Sequence, residues 1–250
     1  MMSRAIILAA GRGSRMGSET DSKPKCLTVL KGKCLLDWQI ESLSKAALKD
    51  VLIIGGYKHE MLMNRGFEVL KNERWDKTNM VSSLMCAPSF SEDTIISYSD
   101  IVYTSEHIKN LLDSKHDISI TADKDWFDLW SSRFTDPLDD AETFKSKDST
   151  LTSIGKKTNE LKDIEAQYMG LLKVTSKGWS DILSVFNNFS EIEQDKLDMT
   201  TLLNTLIQNN IKVNIVFVNG KWCEVDNYSD VLIYEKELKK SKSWNHDWRE

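Results

Sequence analysis

Histidine and cysteine are scarce, with four of each in 250 residues. Cys26, Cys34, Cys86 and Cys223 show no Cys-x-x-Cys spacing, and His59, His107, His116 and His246 are scattered. Neither a zinc site nor a redox pair is indicated, and reduced thiols in a cytoplasmic protein are the plain reading. No apolar run approaches the length of a membrane span. The start, Met1–Ala10, is too short for a secretory apolar region followed by a cleavage site. A basic surplus is also missing: 33 Lys and Arg against 38 Asp and Glu leave a net charge of −5. That argues against a general nucleic-acid binder, which needs a basic face, and against a membrane partner. Two common phosphate-binding fingerprints fail as well. No Gly-x-x-x-x-Gly-Lys-Ser/Thr loop follows the first apolar run, and its Gly11-x-Gly13-x-x-x-Gly17 is not Gly-x-Gly-x-x-Gly.

What is present is a chain with 40% apolar residues, enough for a substantial core. Ala5-Ile6-Ile7-Leu8-Ala9-Ala10 reads as a buried first strand, and it feeds a loop with three glycines, Arg12 and Arg15. Glycines let backbone N–H groups approach an anion closely, and arginines neutralise it. Further on, the spacing predicts a helix over 34–47, a strand at Val51–Ile54 and a short strand at Phe67–Leu70. Another helix starts at Asn79, and strands follow at Thr94–Asp100 and Asp117–Ala122. Strand, helix, strand in this rhythm predicts an α/β fold with a doubly wound, mixed, mainly parallel sheet.

From 123 to 163 the rhythm breaks into expected hairpins and loops. We read this stretch as a small inserted subdomain covering the active site of a single domain spanning 1–250. Strand Ala166–Val174, helices over 177–189 and 199–209, strand Val213–Val218 and a final helix complete the chain. The tail, 236–250, is strongly charged and predicted to be solvated.

In open α/β sheets ligands gather at the carboxyl ends of strands, where Asp100 is expected. Asp226 is expected at a second such end, and alternation puts Glu224 on the same side of an extended segment. Hard oxygen donors of this kind suit Mg²⁺. Trp126 and Trp130, four apart, share one face of any helix. With neighbouring acids they read as a receptor for an ammonium group, or as packing residues. Arg133 suits a phosphate or carboxylate, or pairs with Asp136 or Glu142.

The strand, Leu8-Ala9-Ala10-Gly11-x-Gly13-x-Arg15 and the later Lys23-Pro24-Lys25 closely resemble the signature of nucleotidyltransferases that make nucleotide-diphosphate products. Together with the Trp-rich stretch after Asp123 and Glu224-Val225-Asp226, they make nearly the whole chain similar to the phosphocholine cytidylyltransferase branch of that family. The resemblance implies Mg²⁺-dependent transfer of CMP from CTP to a small phosphorylated acceptor. Within the branch it points to L-glutamine phosphate and capsule polysaccharide modification; phosphocholine, phosphoethanolamine or a phosphonate is the alternative. It implies Lys25 and Arg15 as catalytic groups, and Asp100 and Asp226 as metal ligands. Leu8, Ala9, Ala10, Gly11, Arg12, Gly13, Ser14, Ser82, Ser83 and Tyr98 would hold the nucleotide. Trp126, Trp130, Arg133, Tyr168 and Glu224 would hold the acceptor.

Two other classes make demands that this sequence does not meet. An oxidoreductase using NAD(P) requires an acid or arginine after the second strand, where Ile54-Gly55-Gly56-Tyr57 stands. A non-catalytic nucleotide-binding regulator predicts loss of Lys25 or a metal acid, and all three residues are present.

Overall fold

The computed structural model describes residues 3–240 and 243–250. Met1, Met2, Ser241 and Lys242, which the readings of the start and the tail include, lie outside them.

The first apolar run forms β1 (Arg4–Ala9). Its alternate side chains divide between two cores: Ala5, Ile7 and Ala9 pack on one face, Ile6 and Leu8 on the other. This is why the run is apolar without interruption. A small hairpin, β2 (Val29–Leu30) and β3 (Lys33–Cys34), leads into α1 (Leu35–Lys45) and β4 (Asp50–Gly55). Then come α2 (Glu60–Met63), β5 (Glu68–Lys71) and α3 (Met80–Leu84), whose first N–H is accepted by the Asn79 side chain. β6 (Thr94–Tyr98) and β7 (Ile101–Tyr103) flank the turn that carries Asp100, and α4 (Ser105–Asp113) and β8 (Ile118–Asp123) close the first half.

In the second half, α5 (Trp126–Arg133) precedes the hairpin β9 (Glu142–Lys147) and β10 (Thr150–Lys157). β11 (Gln167–Val174) is followed by α6 (Ser176–Phe186), α7 (Glu191–Lys196) and α8 (Met199–Gln208). The Thr175 side chain caps α6 and that of Asp198 caps α8. β12 (Asn214–Val218), β13 (Trp222–Glu224) and α9 (Tyr228–Lys240) complete the elements.

The nine-stranded sheet has the order β5-β4-β1-β6-β11-β8-β12-β10-β9. Strands β5, β4, β1 and β6 are mutually parallel, β11 runs antiparallel between β6 and β8, and β12 is parallel to β8. The sheet is mixed and mainly parallel, as the sequence predicts. The stretch 123–163 begins with the last residue of β8 and contains a two-turn helix. Its hairpin does not stand apart but pairs antiparallel with β12 at the sheet edge. Among the described residues, no helix is long and apolar enough to cross a membrane.

The tail corrects the expectation of a solvated run. Trp244, His246 and Trp248 alternate with Asn245, Asp247 and Arg249, and Trp248 is 1% exposed. Its ring meets Trp38 edge-on at 5.9 Å between centroids. The Glu250 carboxylate accepts from Ser105 N at 2.7 Å, at the first turn of α4. A charge tally conceals this period-two alternation, in which every second residue from Trp244 to Trp248 packs inward. Trp248→Ala is expected to lower unfolding free energy by about 3 kcal/mol, as for other buried aromatics. Urea denaturation followed by circular dichroism checks it; a wild-type midpoint would return the tail to a solvated role.

Candidate active site

The site begins with the backbone of the loop after β1. Gly13 has φ +73°, a region that costs a side chain, and a Cβ there would lie 2.8 Å from the Lys25 stem. Glycine therefore lets the loop close over Lys25. The result is a cavity of about 230 Å³ at the carboxyl ends of β1 and β6. Leu8, Ala10, Gly11, Gly13, Arg15 and Lys25 form one wall; Trp75, Thr78, Asn79, Met80 and Ser83 form the other. Tyr98, Ser99 and Asp100 lie between. A second cavity, of about 290 Å³, opens beside the first, and Arg15 and Tyr98 line both. Gly170, at φ +79°, makes room for Tyr98: a Cβ would stand 2.5 Å from its ring.

Strands β7 and β13 pair antiparallel with Ile101 opposite Glu224, and Val225 N donates to Asp100 O at 2.8 Å. This pairing gathers the acids. Asp100, Glu224 and Asp226 each offer an oxygen within 4.8 Å of the others. Lys25 Nζ stands between two of them, 2.8 Å from Asp100 Oδ2 and 2.8 Å from Asp226 Oδ1. Arg15 reaches Asp226 Oδ1 at 2.9 Å from the cavity side. From beneath, Arg133, whose side chain is wholly buried, contacts Glu224 at 3.0 Å, Asp226 at 3.3 Å and Asp230 at 3.3 Å. Asp230 in turn accepts from the backbone N–H groups of Asp226 and Asn227.

These contacts set the charges. Burial disfavours the Lys25 ammonium, but the Asp100 and Asp226 carboxylates outweigh it and hold its pKa above the ordinary range. Burial would raise Asp226, whereas Lys25, Arg15 and Arg133 hold it below the usual carboxylate range. Glu224 is pushed up to about 8 by burial and by the adjacent Asp226 charge, against the opposing effect of Arg133. The donor set suits a small, hard divalent cation. Asp100 Oδ1 is buried without a hydrogen-bond partner, and the Lys25 ammonium already occupies a position between carboxylates.

The structure brings together Lys25, Arg15, Asp100, Asp226, Glu224, Leu8, Ala10, Gly11, Gly13, Ser83 and Tyr98. Tyr168 lines the second cavity and meets the Tyr98 ring edge-on at 5.8 Å. Other expected residues lie elsewhere. The Ala9 side chain packs in the core, since strand alternation turns it away from Leu8. Arg12 pairs with Asp21 at 2.7 Å and lies over the Tyr57 ring, so it braces the loop. Ser14 is exposed at the start of a 3₁₀ turn. Ser82 turns away from the first cavity and donates to Gln194 O at 2.9 Å.

Trp126, 3% exposed, packs edge-on against Phe127 and Trp130 and lines neither cavity. Trp130 reaches the second cavity, and its indole N–H donates to Asp140 at 3.1 Å. The cation over its ring, at 5.2 Å, is the chain's own Arg133. Arg133 lines neither cavity, and neither Asp136 nor Glu142 is its partner. Asp140, Lys157, Gln167 and Thr200 line the second cavity without having been predicted. Lys157 lies opposite Glu142 in the β9–β10 ladder, a pairing no local sequence signal discloses. Asp230 was legible in principle as a carboxylate at the start of α9, where free N–H groups need an acceptor.

The model of the MobA-like NTP transferase domain matches residues 5–156, more than half of the chain. The chain belongs to that family. This MobA-like nucleotidyltransferase is 36% identical to CTP:phosphoglutamine cytidylyltransferase of Campylobacter jejuni, over 92% of this chain and 98% of that protein. Two solved structures share its fold. The inositol-1-phosphate CTP transferase from T. maritima has a TM-score of 0.76 at 21% identity, covering 97% of each chain. CTP:phosphocholine cytidylyltransferase from Streptococcus pneumoniae has a TM-score of 0.71 at 20% identity, covering 95% of this chain and all of that one.

Arg133→Met removes the buried cation shared by Glu224, Asp226 and Asp230, leaving only Asp226 with other cations, at an expected cost of about 3–5 kcal/mol near pH 8. The deficit should shrink toward pH 5. Glu224 binds its proton more tightly folded than unfolded, so its stabilising contribution is present below the unfolded value and lost as pH rises through about 8. Removing Arg133 deepens that loss. Urea denaturation at the two pH values checks it; wild-type stability with weakened acceptor binding would give Arg133 an acceptor role instead.

Proposed function

We propose that this nucleotidyltransferase is a Mg²⁺-dependent cytidylyltransferase that transfers CMP from CTP to a small phosphorylated acceptor, L-glutamine phosphate, releasing pyrophosphate in the cytoplasm for capsule polysaccharide modification. The observation that carries this reading is the pair of cavities meeting at one cluster of acids and Lys25. A two-substrate transfer needs two pockets with their reacting ends in contact. The similarity to CTP:phosphoglutamine cytidylyltransferase along 92% of the chain supports the choice of substrates.

In this reading CTP occupies the first cavity. Its cytosine lies near Ser83, Thr78 and the Leu8–Ala10 backbone, and its phosphates lie along Gly11–Gly13 and Arg15. The stretch 123–163 walls the second cavity, where the acceptor lies. An acceptor phosphate oxygen attacks the α-phosphorus; that P–O bond forms as the bond to the β-phosphate oxygen breaks, and pyrophosphate leaves with the electron pair. Asp100 and Asp226, with Glu224 beside them, would hold Mg²⁺, which neutralises phosphate charge when bound. Lys25, kept cationic by its two carboxylates, stabilises charge that grows on the α-phosphate in the transition state. Arg15 aligns the phosphates across both cavities. Phosphocholine and phosphoethanolamine are the alternative acceptors, disfavoured because Arg133 already covers the Trp130 face.

Pyrophosphate release with Mg²⁺, each nucleoside triphosphate and each of the three acceptors tests the reading. Turnover is expected with CTP and phosphoglutamine. Turnover with phosphocholine alone would move the acceptor, and none at all would favour the regulator. Asp100→Asn and Asp226→Asn are each expected to lower kcat on the order of 10³-fold with the fold intact. Lys25→Ala should lower kcat on the order of 10²-fold or more and CTP affinity far less. An effect on affinity alone would reassign Lys25 to ground-state phosphate binding.

A further inference from the structure

The second cavity is lined by two opposite charges, Glu142 and Lys157, that do not join in a salt bridge. Glu142 and Lys157 are directly opposite in the antiparallel β9–β10 pair, and both side chains line the cavity. Cross-strand neighbours of this kind hold their Cβ atoms about 5 Å apart, and opposite charges there usually close into an ion pair. Here they do not. Among the described residues, neither Glu142 nor Lys157 forms a salt bridge; Lys157 Nζ instead donates to the carbonyl oxygens of Asp139 at 2.9 Å and Asp140 at 3.2 Å. Nor is the strand loose at this point: Gln167, 7% exposed, donates from Nε2 to Glu142 O at 2.6 Å, tying the start of β9 to β11.

The environment favours occupation by a ligand with both signs. Burial, with Asp198 and Asp140 nearby, pushes the Glu142 carboxyl above its usual range even though Lys157 and Thr200 oppose the shift, a penalty that a further cation beside it relieves. Asp140, with one oxygen engaged by the Trp130 indole, adds negative charge on the same side. Arg15 and Asp226, on the cavity wall nearest the reacting centre, leave the acceptor phosphate at that end and its remote head at the β9–β10 end.

An α-amino acid presents an ammonium and a carboxylate from a single carbon. Its complement is therefore one anion and one cation held side by side and not closed into a salt bridge. We propose that Glu142 and Lys157 read the α-ammonium and α-carboxylate of a phosphorylated amino acid, and so select that class over phosphorylated amines. This rests on the proposed function. A phosphorylated amine without a carboxylate engages Glu142 but makes no contact with Lys157, and so forgoes one charge-assisted contact that the amino acid makes.

Binding and turnover are measured separately, so that failure of this assignment and failure of the cytidylyltransferase reading can be told apart. Calorimetric titration of phosphoglutamine and phosphoethanolamine is carried out on wild type, Lys157→Met and Glu142→Gln, with circular dichroism as the fold control. Wild type is expected to bind phosphoglutamine more tightly. Lys157→Met should weaken phosphoglutamine on the order of 10–100-fold and phosphoethanolamine no more than twofold. Glu142→Gln should weaken both by at least tenfold. Equal losses for the two ligands in Lys157→Met, no loss in either variant, or no phosphoglutamine binding by wild type would overturn the assignment. The expected binding pattern without pyrophosphate release would uphold it and overturn the transfer reaction instead. If Lys157→Met fails to fold, Lys157→Gln carries the same test.

Discussion

Three carboxylates converge on one point, and like charges held that close repel unless cations stand among them. Lys25 stands within the cluster, Arg133 beneath it and Arg15 at its open side. Each arrives on a different part of the chain: Lys25 after the glycine loop, Arg133 at the end of α5 and Arg15 in the 3₁₀ turn. Lys25 and Asp226 are 201 residues apart in sequence. Charge balance at this point therefore ties the first loop, the middle helix and the late strand into one arrangement. Breaking the Lys25 or Arg133 partnerships leaves buried charge undercompensated, which costs far more than a surface pair is worth.

The three cations divide the labour by depth. Arg133 is sealed from solvent, with Trp130 and Phe134 rings against its guanidinium, so it serves the acids and not a ligand. Lys25 is nearly as buried yet borders the first cavity. Arg15, with its side chain 64% exposed, pairs with Asp226 and borders both cavities. A gradient from buried to exposed positive charge thus runs outward through the acids. Such preorganised charge is what a phosphoryl-transfer centre needs, because little dipole reorientation remains for the transition state.

Much of this was legible along the chain. The β1 run, the loop glycines, Asp100 at a turn after a strand and the Glu-x-Asp of β13 are local patterns, each set by backbone chemistry within a few residues. The readings that failed depended on partners remote in sequence. Arg133 carries no local mark separating a ligand for phosphate from a buried counter-ion, and Asp230 lies 97 residues away from it. Trp126 and Trp130 share a helix face as predicted; Trp126 turned into the core, whereas Trp130 reaches the second cavity with the chain's own Arg133 over its ring. Ser82 and Ser83 are neighbours on α3, and the helical turn between them sends one to the cavity and the other to α7.

By itself the sequence determined the α/β class, the phosphate-type loop and the acids at strand ends, because periodicity and turn chemistry act over short stretches of chain. The tertiary structure alone decided which acids meet, which arginine is internal, that the charged tail is anchored, and that Glu142 faces Lys157. These are properties of register and packing: the β7–β13 and β9–β10 ladders fix them across the fold, and a linear chain carries no local record of either.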